Sequence, residues 1–137
     1  MSRSLRKLKL DGTPYFRRDM VESEIQDLAD VSASELERRA GLWSSTDLDF
    51  ISSEALLYFV RNAAPGAYRE RLTEKLLGRV ASRVRPITNS GGDTVSLTGM
   101  NIREEVVDHF VDLLLSDRLE YEERLDYYEV NFNSAVA

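Results

Sequence analysis

The chain has 137 residues, 42% hydrophobic and 31% charged with a net charge of −6, which is typical of a folded domain rather than a disordered segment. It contains no cysteine, which excludes disulfide bonds, thiolate metal sites and cysteine nucleophiles. No apolar run approaches the roughly 20 residues that span a bilayer, and residues 1–10 lack a signal-peptide apolar block, so we expect a cytoplasmic protein with no membrane contact.

The charges are unevenly distributed along the chain. Residues 1–18 carry six basic residues and one acid, and Gly12 and Pro14 interrupt any regular pattern, so we predict a flexible basic arm. Residues 19–137 are predicted to form a single helical domain. The overall acidity argues against nonspecific nucleic-acid binding by the whole surface.

Three short helices are predicted in the first half of that domain. The spacing of Val21, Ile25 and Leu28 indicates the first helix. Ser32 and Glu35 form a capping box that opens the second. The second helix is predicted to end at Gly41. The third is predicted to begin at Ser52 or Ser53 and to continue to Asn62.

The longest predicted helix runs from about Pro65 to Val84, because Pro86 forbids continuation. Its apolar residues recur every four positions, and a basic row with the same spacing lies one position earlier. Such a row could follow a phosphate backbone, so DNA binding stays open. We favour pairing with the acidic row of the next helix, or simple solvation, over this interpretation. The row consists of Arg71, Lys75, Arg79 and Arg83.

An acidic row follows in the next predicted helix, from about Ile102 to Ser116. Its apolar residues line one side and its acids gather on the other. The polar, glycine-rich residues 87–100 before it are predicted to be a loop, with at most a short hairpin near Val95 to Leu97. With a last helix in the tail, the fold is predicted to be all-α, a compact bundle of five or six helices. The acidic residues are Glu104, Asp108 and Asp112, with Glu105 beside them.

Catalytic and metal-binding patterns are weak in this sequence. The only histidine, His109, is spaced from Glu105 and Asp112 as metal ligands on a helix can be, but a zinc or iron site normally needs more ligands. Residues 89–94 resemble a phosphate loop only superficially, since the GxxxxGK[ST] order is absent. His109 is the sole imidazole and is embedded among carboxylates, so no catalytic triad can be assembled from the spacing. We therefore predict a protein that is not an enzyme and that uses no cofactor or metal.

Three segments resemble region two of bacterial sigma factors, the helical part of the polymerase specificity subunit. AYRERLTEKLLGRVASRV at 67–84 resembles its first long helix, NIREEVVDHFVDLLL at 101–115 resembles the next, and YYEVNFNSAVA at 127–137 is similar to the start of its promoter-reading helix. The likeness covers residues 54–137 approximately. It implies a protein partner, RNA polymerase core, met by Glu104, Glu105, Asp108 and Asp112.

The sequence departs from this family where its members carry the arginines, lysines and aromatics that open and read DNA. Here residues 117–129 hold six acids, two arginines and no lysine. Two functions therefore stay open. One is a non-catalytic, transcription-associated protein that keeps the polymerase-facing helix; the other is a generic helical interaction or oligomerisation module with no polymerase role.

Overall fold

The computed structural model describes residues 3–83 and 97–136, and these ranges contain seven α-helices and no β-strand. The predicted all-α class is confirmed. One helix more than expected appears, because the tail divides at Asn131, whose non-helical backbone ends one helix before the next begins. The helices are α1 Asp19–Leu28, α2 Ala33–Ala40, α3 Ser53–Asn62, α4 Ala67–Arg83, α5 Leu97–Leu119, α6 Arg124–Val130 and α7 Phe132–Val136.

The predicted capping residues begin two of these helices. The Ser32 hydroxyl accepts a hydrogen bond from the backbone N–H of Glu35 at 3.3 Å, and the Ser52 hydroxyl accepts one from that of Ala55 at 3.1 Å. Each bond satisfies one of the free N–H groups at a helix start. The boundaries of α2 and α3 therefore follow from local side-chain chemistry.

The loop predicted over residues 87–100 is wrong in its last four positions. Leu97, expected to be a weak strand former, is the first residue of α5, and the helix is continuous from there. Gly99 disfavours a helix by about 1 kcal/mol, which is why the sequence favours a loop. Extending an existing helix adds a hydrogen bond for each residue fixed, and this outweighs the glycine. Val95 and the rest of that segment lie outside the described residues.

The core forms around α3, which packs against α1, α4, α5 and α6. The predicted apolar stripe of α4 faces this core, with Leu72, Leu76 and Val80 fully buried. Burial of such side chains is the main favourable term in folding, at about 25 cal/mol per Å² of apolar surface. The other fully buried side chains include Leu56, Leu57, Phe110, Leu125 and Phe132.

The basic N-terminal segment lies against the helices, so the prediction of a flexible arm is not confirmed. The backbone N–H groups of Arg6 and Lys7 both donate to one carboxylate oxygen of Asp126 at 2.7 Å. The segment then turns back through a bridge between Leu8 and Pro14, with Gly12 at a φ of 87°. The composition of the segment could not indicate this attachment, because its acceptor lies about 120 residues away.

Candidate functional site

The acidic residues of α5 share one solvent-facing side of the helix. Glu104, Glu105, Asp108 and Asp112 are all exposed, while Phe110 on the opposite side is buried in the core. The helical repeat continues this side into two exposed leucines, Leu115 at 49% and Leu119 at 92% exposure. We call this surface the α5 face; it consists of Glu104, Glu105, Asp108, Asp112, Leu115 and Leu119.

The basic row of α4 does not pair with the α5 face in the described part of the chain. Arg71 instead meets Glu37 of α2, with 2.7 Å between its Nε and the carboxylate oxygen. Arg83 is exposed at the end of α4, and Lys75 is half-buried. The four residues predicted to form one surface row therefore lie in different environments.

Arg79 is the member of the row that turns inward. Its guanidinium donates to the carbonyl of Ile51, to the carbonyl of Ala40 at 3.3 Å and to the hydroxyl of Ser53 at 3.3 Å. The group also lies over the ring of Phe50, and its burial lowers its pKa. Arg79 thus joins the end of α2 and the entry to α3 onto α4, and it is not available to a phosphate backbone.

A buried charge network connects the N-terminal segment, α3, α5 and α6, and sequence reasoning missed it. Arg61 of α3 is at its centre, with its side chain fully buried. Its guanidinium pairs with both oxygens of Asp117, at 2.9 and 3.2 Å, and also meets Glu129 and, at 3.0 Å, Asp126. Arg17 closes the network with 2.8 Å between its Nε and Glu129. Its members are Arg17, Arg61, Asp117, Asp126 and Glu129.

The pKa values in this network reflect burial opposed by pairing. Burial alone would lower the pKa of Arg61, but its hydrogen bond to Asp117 and the charge of Glu129 raise it above the usual value. Burial raises the pKa of Glu129, against the lowering effect of the Arg61 and Arg17 guanidinium groups. Pairing of each buried charge, rather than exposure of a reactive one, marks the network as a structural element.

Tyr121 borders the network and supplies a prediction for alkaline pH. Burial, together with a 2.6 Å hydrogen bond from its hydroxyl to Asp126, raises its pKa to about 12. The folded protein therefore keeps a proton that the unfolded chain loses near pH 10. The contribution of protonated Tyr121 to the stability of the fold is present below pH 10 and is lost as the pH rises through about 12. We expect the tyrosinate absorbance of wild type minus that of Tyr121→Phe to titrate near pH 12; a midpoint near 10 would show that the hydroxyl is solvated.

Neither a metal cluster nor a membrane helix is found in residues 3–83 and 97–136. No group of three carboxylate or imidazole side chains there is arranged to hold a metal ion, and His109 is exposed on α5. No helix in these ranges is both long enough and apolar enough to cross a membrane. The described residues present the exposed α5 face and the buried charge network.

Comparisons with protein families, with curated proteins and with solved structures found no significant match to this chain.

Proposed function

We propose that this chain is a non-catalytic binding domain whose α5 face docks on a basic surface of the RNA polymerase core, in the bacterial cytoplasm. The observation that supports this proposal is the exposure of four carboxylates on one side of α5. Within residues 3–83 and 97–136, none of these four carboxylates forms an ion pair. The choice of polymerase as partner depends on the resemblance of residues 101–115 to the polymerase-facing helix of sigma factors.

The composition of the α5 face suits a protein partner. Leu115 and Leu119 are large apolar side chains in solvent, next to the acids and on the same side of the helix. Acidic groups steer a basic partner and set its orientation, whereas apolar side chains supply affinity when they are covered. A helix that is anchored by its other side, as α5 is by Phe110 and Leu113, can present such groups without losing order.

We do not extend the proposal to DNA. Of the basic row, Arg79 is buried among carbonyl groups and Arg71 is paired with Glu37. Arg83 and the half-buried Lys75 that remain are a weak phosphate contact, since DNA-binding surfaces gain affinity from several exposed cations together.

A charge reversal on the α5 face tests the proposal. We expect Asp108→Lys with Asp112→Lys to weaken binding to purified polymerase core by about tenfold or more, because like charges would then oppose each other at the interface. The matched control is Asp27→Lys on α1 with Asp30→Lys in the turn that follows it, which makes the same charge change at two exposed acids elsewhere. Binding is measured by fluorescence anisotropy at two salt concentrations, and wild-type binding should weaken as salt rises.

The result also separates the two candidate functions. Equal weakening by both double variants would mean that only the total charge matters, and the α5 face would then not be the docking site. If wild type shows no binding to core polymerase at micromolar concentration, the polymerase role is wrong. Sedimentation would then decide the alternative, because the exposed Leu115 and Leu119 also suit an interface between two copies of this chain.

A further inference from the structure

Three arginines from three helices converge on one small cavity. The cavity has a volume of about 120 Å³ and lies between α3, α4 and α5, where Arg61, Arg69 and Arg118 line it together with Asp117. Two apolar residues, Val60 and Leu114, complete the wall. The cavity is separate from the α5 face, so its chemistry is independent of the function proposed above.

Two of the arginines around this cavity, Arg69 and Arg118, have only one carboxylate between them in the described part of the chain. Both oxygens of Asp117 are engaged by Arg61, and one of them also accepts the backbone N–H of Glu122. Arg69 and Arg118 are left to share Glu70, at 3.7 Å from the Nε of Arg69 and 3.0 Å from the Nη2 of Arg118. Two guanidinium groups thus depend on one carboxylate whose side chain is 56% exposed.

The Nε of Arg69 is the least satisfied donor of the three. It is buried and, within the described part of the chain, has no hydrogen-bond partner, because 3.7 Å to Glu70 is too long for one. Leaving a buried donor of a charged group unpaired is unfavourable. The Nη2 of Arg118, which meets Glu70, also makes a long hydrogen bond of 3.4 Å to the hydroxyl of Thr73. The cavity therefore contains donors that an anion could satisfy.

We propose that this cavity binds a phosphate-type oxyanion, held by Arg69 and Arg118 in place of the carboxylate of Glu70. Guanidinium groups donate in pairs to the oxygens of phosphate, which makes arginine the preferred side chain for this ligand. At about 120 Å³, the cavity has room for one tetrahedral oxyanion. Glu70 can leave because half of its side chain is already in solvent.

Opposite responses of two neighbouring variants test this site. Inorganic phosphate, added at constant ionic strength against chloride, should raise the melting temperature of wild type in a saturable way. Glu70→Gln should bind phosphate about two- to fivefold more tightly, because it removes the competing carboxylate. Arg69→Gln should abolish the effect. Arg71→Gln is the matched control on the same helix, since Arg71 is exposed and pairs with α2 instead.

Each outcome decides the proposal or identifies the ligand. If phosphate stabilises no more than chloride, or if Arg69→Gln and Arg71→Gln respond to it alike, the site does not exist. Should Arg69→Gln not fold, Glu70→Gln still decides, because unchanged or weaker phosphate binding in that variant contradicts displacement of Glu70. A nucleoside monophosphate that competes with inorganic phosphate would identify a phosphoryl end group as the ligand; failure to compete would identify the free anion.

Discussion

Replacement of Arg61 by leucine is expected to lower the free energy of unfolding by about 3–5 kcal/mol. The guanidinium is fully buried and pairs with Asp117, Asp126 and Glu129, of which the last two are also fully buried. Without it, these carboxylates retain only Arg17 as a cationic side chain in the buried charge network. Buried charges left without a partner are strongly destabilising. The leucine side chain can replace the packing of the arginine, but it cannot replace its charge or its hydrogen bonds.

Chemical denaturation of wild type and variant measures this loss, and Arg71→Leu is the control. Arg71 makes one exposed ion pair with Glu37, so its replacement should cost less than about 1 kcal/mol. A loss below about 1 kcal/mol for Arg61→Leu would show that water reaches the network and screens its charges. Arg61 of α3 would then not hold the buried charge network together.

Truncation of Phe110 is the second change with a large expected effect. Phe110→Ala should lower the free energy of unfolding by about 3–5 kcal/mol, because it opens a cavity in a close-packed core. The ring is 1% exposed and lies 5.3 Å from the ring of Tyr128 and 5.8 Å from that of Phe132. These contacts fasten α5 to α6 and α7, so their loss should also loosen the tail.

Leu119→Ala provides the comparison within the same helix. Its side chain is 92% exposed, and surface replacements of this kind usually change stability by less than about 0.5 kcal/mol. Denaturant unfolding of the two variants should therefore differ by several kcal/mol. Similar losses of unfolding free energy in the two variants would mean that α5 is rotated about its axis, and that Leu119 does not lie on an exposed side of the helix.

The apolar and capping patterns of the sequence predict most of the helical fold. Leu72, Leu76 and Val80 recur every four residues and are fully buried, because that spacing places them on one side of α4. Ser32 and Ser52 bond to nearby N–H groups, so the starts of α2 and α3 depend on local interactions. The exposed side of α5 was also predictable, since its acids alternate with apolar residues in the helical period.

The buried charges could not be predicted from the same patterns. Arg61 and Glu129 are 68 residues apart, and only the packing of α3 against α6 brings them together. One signal was present: Arg61 follows the apolar run of α3, and Glu129 lies four residues after the buried Leu125. Spacing also cannot distinguish Arg79 from Arg71, because the neighbours of α4 decide which of the two is buried.

A photo-crosslink from the α5 face is the most direct measurement of whether this surface docks on the polymerase core. Because the chain contains no cysteine, one introduced cysteine carries a benzophenone maleimide at a single place. We choose His109→Cys, exposed beside Asp108 and Asp112, and Ala33→Cys, exposed at the start of α2, as the control. The account predicts a crosslink to a core polymerase subunit from position 109 and none from position 33. Absence of a crosslink from position 109, or equal crosslinking from both positions, would contradict it.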